Sequence, residues 1–134
     1  SRGMFVTMIV GVYDKNKNEL LLANAGHEPP LIFSKDGNFK TIDEAGPPLG
    51  IAPNFKFAEQ IISFKESSMY IFTDGITEMK NNNGEMLGQE GFQDYIKKYQ
   101  TTPNNKRLQK MIEDLISSGR IQKDDLTIVT VDGN

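Results

Sequence analysis

The 134 residues are enough for one domain, and 37% hydrophobic with 25% charged residues excludes a disordered or fibrous chain. The 15 Lys and Arg against 18 Asp and Glu give a net charge of −3, which disfavours nucleic acid as a partner. The sequence contains no cysteine, which excludes disulfides and fits a cytoplasmic location, and no apolar run approaches the roughly 20 residues of a membrane span. No membrane contact is therefore expected.

The first part of the chain is predicted to form two β-hairpins. Residues 4–13 are apolar on both alternating faces, a pattern typical of a strand that is covered on both sides. After a polar turn, residues 19–25 return as the partner strand. An Asp-Gly turn between residues 31–34 and 39–42 predicts the second hairpin.

A rigid loop and two more strands follow. Residues 46–50, with sequence GPPLG, predict a sharply bent loop, and they lack the lysine and the free N–H groups of a phosphate-binding loop. Residues 55–64 and 67–73 read as two strands that are joined through a short polar link.

Two amphipathic helices come next, and each is marked by apolar side chains at helical spacing. These positions are Phe92, Tyr95, Ile96 and Tyr99 in the first helix and Leu108, Met111, Ile112, Leu115 and Ile116 in the second. For the second helix we predict Thr102 as N-cap, Pro103 as first helical residue and Gly119 as the stop. Residues 125–131 form the last strand, so the predicted class is α+β with an antiparallel sheet.

Two acids at the ends of predicted strands are candidate metal ligands. Asp74 follows an apolar strand and precedes Gly75, which would let the chain turn, and Asp124 opens the last strand. A carboxylate at the end of a buried strand loses hydration, a cost that a cation would offset. If the two strand ends adjoin, oxygen ligands of this kind favour Mg²⁺ or Mn²⁺ over Zn²⁺. The alternative stays open that Asp74 starts a turn and Asp124 caps a strand.

Two further residues have weaker claims to a role in a site. His27, the single histidine, has the pKa range of a general base, but a structural role in a tight turn is the preferred interpretation because no nucleophile is identifiable beside it. Glu78 is interpreted as the first-turn acid of a short helix rather than as a group behind the metal ligands.

Six sequence blocks in a fixed order carry a family resemblance. They are residues 5–7, residues 24–27 with Pro29 and Pro30, residues 46–50, residues 73–78, residues 84–88 and residues 124–127. Together they resemble the SpoIIE/RsbU-like branch of the metal-dependent serine/threonine protein phosphatases of the PPM, type 2C-like superfamily. The resemblance implies a β-sandwich of two antiparallel sheets flanked by helices, with a pair of Mn²⁺ or Mg²⁺ ions and a metal-bound water that attacks phosphoserine or phosphothreonine. By the same resemblance Asp74 and Asp124 match metal-binding, catalytic aspartates.

The sequence departs from the family pattern at its N-terminal side. The Gly-Asp-x-x-Asp and Asp-x-x-Gly-His-Gly blocks of the family do not occur, and His27 cannot replace them because its block already matches another family position. We therefore expect residues 1–134 to be a single domain, the C-terminal portion of a phosphatase domain with the N-terminal part of the fold missing. As this fragment, the chain should bind metal weakly and be inactive alone.

Two classes of function remain. The first is a piece of a phosphatase that dephosphorylates a phosphoserine regulatory protein, such as an anti-anti-sigma factor, in bacterial signal transduction. The second is a non-catalytic domain that binds a partner. The role of Asp125 is open between a third ligand, a group behind the ligands and a solvated side chain, and the sheet edge left by a missing N-terminal part is expected to promote a homodimer.

Overall fold

The computed structural model describes residues 3–133, which form seven strands and three helices. The elements are β1 (Met8–Asp14), β2 (Glu19–Ala25), β3 (Leu31–Ser34), β4 (Phe39–Thr41), β5 (Gln60–Ser63), β6 (Ser67–Phe72), α1 (Asp74–Thr77), α2 (Gly88–Lys98), α3 (Asn104–Ser117) and β7 (Ile128–Asp132). The chain divides into two compact units. One takes the chain up to Met69 and again from Val131 on, and the other is Tyr70–Thr130.

Both predicted hairpins are confirmed. β1 and β2 pair antiparallel from Met8 opposite Ala25 to Asp14 opposite Glu19, across a four-residue turn. β3 and β4 also pair antiparallel, because Gly37 adopts a φ of +90° that closes the turn between them. The strong turn signals at both sites explain why the sequence predicts these elements well.

The strands belong to two sheets, of order β1-β2-β5 and β4-β3-β6-β7. β5 and β6 follow each other in the chain but lie in different sheets, and only Gln60–Ser63 of the predicted strand 55–64 is a strand. At one end of the β6–β7 pair the N–H of Thr73 donates to the Thr127 carbonyl at 3.1 Å, and at the other the N–H of Gly133 donates to the Ser67 carbonyl at 2.8 Å. These two bonds make β6 and β7 antiparallel.

The β1 strand is less covered than the sequence predicts. One face of the β1-β2-β5 sheet buries Leu20, Leu22 and Ile62. On the opposite face Val12 is 64% exposed and Ile61 is 71% exposed. The prediction of a strand covered on both sides is therefore wrong within residues 3–133. The sequence shows that both faces of the strand are apolar, but it does not show whether each face has a neighbour.

The second unit has its core between its helices and the end of β6. The ring of Phe92 is fully buried, with its centroid 6.3 Å from that of Tyr70 and 4.8 Å from that of Phe72. The predicted stop of α3 is confirmed by Gly119, whose φ of +77° ends the helix. The predicted start is one residue too early, because Pro103 and not Thr102 is the N-cap.

The structure confirms the α+β class with antiparallel pairing. Across residues 3–133, no helix combines the length and the apolar character that crossing a membrane requires.

Candidate metal centre

Asp74 lies in the second unit, at the point where β6 gives way to α1. Phe72 at the end of β6 is buried, Thr73 is extended with φ −91° and ψ 157°, and Asp74 is the first helical residue. Asp74 itself is exposed, and within residues 3–133 no hydrogen bond or ion pair reaches its carboxylate. The predicted loss of hydration at this acid is therefore wrong, because the buried strand ends two residues earlier.

Glu78 does not have the position that the sequence suggests. The first-turn acid of α1 is Asp74, whereas Glu78 is the residue that ends the helix, with its N–H bonded to the Asp74 carbonyl at 2.9 Å. The interpretation of Glu78 as a first-turn acid is wrong because α1 has only four residues and begins at Asp74 itself.

Asp124 and Asp125 lie in the segment before β7, and both are exposed. Oδ1 of Asp124 accepts the N–H of Asp125 at 2.8 Å, and the Asp124 carbonyl accepts a bond from Nε2 of Gln122 at 3.0 Å. One carboxylate oxygen thus supports the local backbone, as in the capping alternative. The second oxygen, Oδ2, has no hydrogen bond within the described part of the chain.

The segments that carry the two acids are in direct contact. Besides the bond from the Thr73 N–H to the Thr127 carbonyl, the N–H of Thr127 donates to Oγ1 of Thr73 at 3.2 Å. Oγ1 of Thr73 in turn donates to the Asp125 carbonyl at 3.4 Å. We call this contact of residues 73–75 with residues 125–127 the junction. The end of β6 and the start of β7 therefore adjoin, a point that the sequence left open.

The structure requires glycine at position 75 for a different reason from the predicted sharp turn. Its φ is not in the left-handed region, so the chain does not need a glycine for its conformation here. A Cβ at this position would lie 2.3 Å from the backbone oxygen of Asp125, a distance that no real Cβ contact shows. Gly75 is required because the two segments approach so closely.

The sequence reasoning gave no role to Thr73, although it lies at the centre of the junction. A hydroxyl residue at the start of a predicted helix signals an N-cap. The N-cap pattern can identify Thr73, but it does not predict the contacts of Thr73, because these join positions more than 50 residues apart in the chain.

The donor set at the junction suits a small, hard cation. Mg²⁺ and Mn²⁺ prefer oxygen ligands, and Mg²⁺ is commonly held by one or two carboxylates that leave several waters in place. Asp74 lies in the junction and Asp124 directly precedes it, and both match that chemistry. No group of three or more His, Cys, Asp or Glu side chains assembles among residues 3–133, so these residues do not form a complete two-metal site.

His27 belongs to the first unit, in the turn that follows β2. Its backbone N–H donates to Oδ1 of the buried Asn24 at 2.9 Å, and Nδ2 of Asn24 donates to the His27 carbonyl at 3.0 Å. Nδ1 of His27 lies 3.0 Å from the Glu28 carbonyl. The N–H of Gly46 in the GPPLG loop bonds the Asn24 carbonyl at 2.9 Å. These contacts support the structural interpretation of His27.

An open groove of about 630 Å³ lies beside the junction in the second unit. Leu108, Ile112 and Ile116 of α3 form one side, and Leu126 and Ile128 form the other. Asp125 also lines this groove, next to the candidate metal ligands.

The model of the family described as Stage II sporulation protein E (SpoIIE) matches residues 1–133. The chain belongs to the SpoIIE family. Protein IcfG of Synechocystis sp. is 30% identical to this chain over 136 residues, which cover 96% of this chain and 20% of that protein. The phosphoserine phosphatase RsbU of Bacillus subtilis is 28% identical over 131 residues, which are 96% of this chain and 39% of RsbU.

Solved structures confirm the expected PPM phosphatase-like fold of this SpoIIE-family chain. The RsbU and RsbW domains of a Mycobacterium tuberculosis protein match with a TM-score of 0.75 and 23% identity over 92% of this chain. The phosphatase domain of SpoIIE from Bacillus subtilis, presoaked with Mn, matches with a TM-score of 0.69 and 18% identity over 96% of this chain. The chain spans 35% and 56% of those two structures and less than half of the two curated relatives.

Proposed function

We propose that this SpoIIE-family chain is the C-terminal portion of a metal-dependent phosphatase domain that hydrolyses phosphoserine or phosphothreonine on a protein. The observation that carries the proposal is the junction, because it draws together the two segments on which Asp74 and Asp124 lie. The likeness to RsbU, a phosphoserine phosphatase, and to the Mn-presoaked SpoIIE domain supports the reaction class and the choice of metal.

In this proposal Asp74 and Asp124 hold Mn²⁺ or Mg²⁺. When bound, such an ion activates water as a nucleophile and neutralises phosphate charge. The chain's own contribution is placement: Gly75 leaves room for the Asp125 carbonyl, and the backbone bonds of the junction keep both acids on adjoining segments. Because both carboxylates are exposed, a phosphorylated side chain on a protein surface can reach them without any opening of the chain.

For the substrate we propose a small regulatory phosphoprotein of the anti-anti-sigma type, acting in bacterial cytoplasmic signalling. Support comes from the likeness to RsbU and to a structure that combines RsbU and RsbW domains. The net charge of −3 is compatible with a protein partner and unfavourable for nucleic acid.

The test is a calorimetric titration of Mn²⁺ into the chain, with hydrolysis of p-nitrophenyl phosphate measured on the same sample. We expect weak binding, reduced at least tenfold in both Asp74→Asn and Asp124→Asn, and very low turnover because two carboxylates hold half of a two-metal site. Asp94→Asn is the matched control, since it removes one exposed carboxylate on α2 that is not part of the junction. Unchanged Mn²⁺ binding in Asp74→Asn would contradict the proposal.

A second candidate is a domain that binds a partner without hydrolysis. The absence of a cluster of three metal-ligating side chains among residues 3–133 favours it. The two candidates differ in their response to a phosphorylated anti-anti-sigma-type protein and Mn²⁺. A phosphatase, even an inefficient one, releases inorganic phosphate in a manner that depends on Asp74, whereas a binding domain retains the protein with or without Mn²⁺ and releases none.

A further inference from the structure

We propose that Thr73 is a positioning residue, whose hydroxyl group holds the segment bearing Asp124 against the segment bearing Asp74. This inference rests on the proposed function, since it concerns the same two carboxylates. It follows from three observations: the bonds of the Thr73 backbone, the unusual use of its hydroxyl, and the steric limit set by Gly75.

The carbonyl of Thr73 accepts a hydrogen bond within α1 and not one across the sheet, because Thr73 is the N-cap of that helix. In an antiparallel pair, opposed residues exchange two N–H···O bonds through their backbones. The N–H of Thr73 makes the first of these, to the Thr127 carbonyl at 3.1 Å. The Thr73 carbonyl instead accepts the N–H of Ile76 in α1 at 3.2 Å. The N–H of Thr127 therefore takes Oγ1 of Thr73 as its acceptor, at 3.2 Å.

The hydroxyl of Thr73 does not serve the helix that it precedes. A threonine at an N-cap commonly accepts a bond from the second or third helical N–H. Thr73 is the N-cap of α1 and makes no such bond. Its hydroxyl has one donor and two acceptor sites, and it uses them across the junction: it accepts from Thr127 and donates to the Asp125 carbonyl.

The Asp125 carbonyl is thus held from two sides. The Thr73 hydroxyl bonds it, and Gly75 bounds it so closely that even a methyl group would collide. Asp124 is the next residue along the chain, and its Oδ1 is bonded to the Asp125 N–H at 2.8 Å. Fixing Asp125 therefore fixes the backbone from which the Asp124 carboxylate extends. Groups that orient metal ligands in this way commonly change metal affinity 10-fold to 100-fold when they are removed.

The test compares Thr73→Val, which keeps the shape and removes the hydroxyl, with Thr73→Ser, which keeps the hydroxyl. Two quantities are measured: amide hydrogen exchange at Thr127 without metal, and Mn²⁺ affinity by calorimetry. In Thr73→Val we expect faster exchange at Thr127 and an affinity for Mn²⁺ lowered about 10-fold to 100-fold. Thr73→Ser should restore both quantities. Ser117→Ala is the matched control, because the Ser117 hydroxyl bonds the Asp114 carbonyl within α3, at 3.2 Å, and touches neither candidate ligand; its Mn²⁺ affinity should stay within about twofold.

Each outcome decides the inference. Wild-type exchange or wild-type Mn²⁺ affinity in Thr73→Val would overturn it while leaving the proposed function intact. Failure of Thr73→Ser to restore affinity would also overturn it, because the hydroxyl would not be the group that matters. If the wild-type chain binds no Mn²⁺, the proposed function falls and the positioning role falls with it. Thermal unfolding verifies that the variants fold, and Thr73→Ala replaces Thr73→Val in the same comparison if the valine variant does not.

Discussion

Replacing Gly75 by alanine tests the contact at the centre of the candidate site. The added Cβ would lie 2.3 Å from the Asp125 oxygen, so the two segments must separate until that distance reaches at least 3.0 Å. The bond from Thr73 Oγ1 to the same oxygen is already long, at 3.4 Å, and does not survive a further separation. We expect Gly75→Ala to be destabilised and to bind Mn²⁺ less tightly.

The magnitude follows from three opposing contributions. Forcing an extra carbon against backbone costs about 1–3 kcal/mol, and a lost hydrogen bond adds about 0.5–1.5 kcal/mol. Alanine is favoured over glycine in a helix by up to about 1 kcal/mol, which offsets part of this loss. With the full offset of about 1 kcal/mol for alanine, the net decrease in the free energy of unfolding is about 0.5–3.5 kcal/mol. At about 3.5 °C per kcal/mol for 134 residues, this corresponds to a fall of about 2–12 °C in Tm.

The assay is thermal unfolding followed by circular dichroism, with Gly91→Ala as the matched control. Gly91 is also a helical glycine without a positive φ, but a Cβ there would meet the Leu87 side chain, at 2.6 Å from Cδ1, rather than backbone. A side chain can change rotamer, so the same gain in helix propensity should leave Gly91→Ala within about 1 kcal/mol of the wild type. If Gly75→Ala were as stable as Gly91→Ala, the close approach of the two segments would be refuted.

Two further predictions concern regions outside the junction. Lys98 and Tyr99 donate hydrogen bonds to Oδ2 of Asp114, at 2.6 Å and 2.7 Å, and these bonds hold the pKa of that carboxyl below its usual value. The stability that the ionised carboxylate contributes is therefore fully present above the unfolded-state pKa of about 4. It is lost as pH falls through the lower folded-state pKa. The difference in unfolding free energy between wild type and Asp114→Asn should therefore shrink from pH 7 to pH 3 in urea titrations, and a difference independent of pH would contradict the assignment. A homodimer through the apolar face of β1-β2-β5 would cover Ile61, which is 71% exposed. In that case Ile61→Lys should abolish the dimer in light scattering and change the free energy of unfolding of the chain by less than about 0.5 kcal/mol. A strictly monomeric wild type at high concentration would count against that dimer.

Local signals in the sequence predict local structure well. The Asp-Gly turn specifies the β3–β4 hairpin, and Gly119 ends α3, because each requires a backbone conformation that few other residues adopt. The order of the sequence blocks also leads to the correct family and fold. Both kinds of information are carried by neighbouring residues, so no knowledge of long-range contacts is needed.

Contacts between distant segments are what the sequence leaves open. Apolar residues on both sides of β1 indicate a covered strand. Val12 of β1 and Ile61 on the same face of the sheet are nevertheless exposed, because the pattern does not reveal which face has a neighbour. In the same way, Gly75 suggests a sharp turn, but its requirement comes from the carbonyl of Asp125 in another segment. The two candidate ligands are predictable as acids at strand ends, while the residue that joins their segments, Thr73, is not.

The exposure of the two carboxylates changes the argument for a metal. A buried acid needs a cation for stability, but Asp74 and Asp124 are hydrated and need none to fold. The junction nevertheless brings together two segments that each carry a negative charge, and like charges on adjoining segments repel. A divalent cation bound between the two segments would offset that repulsion, and this is the physical reason to propose a metal-dependent function at the junction.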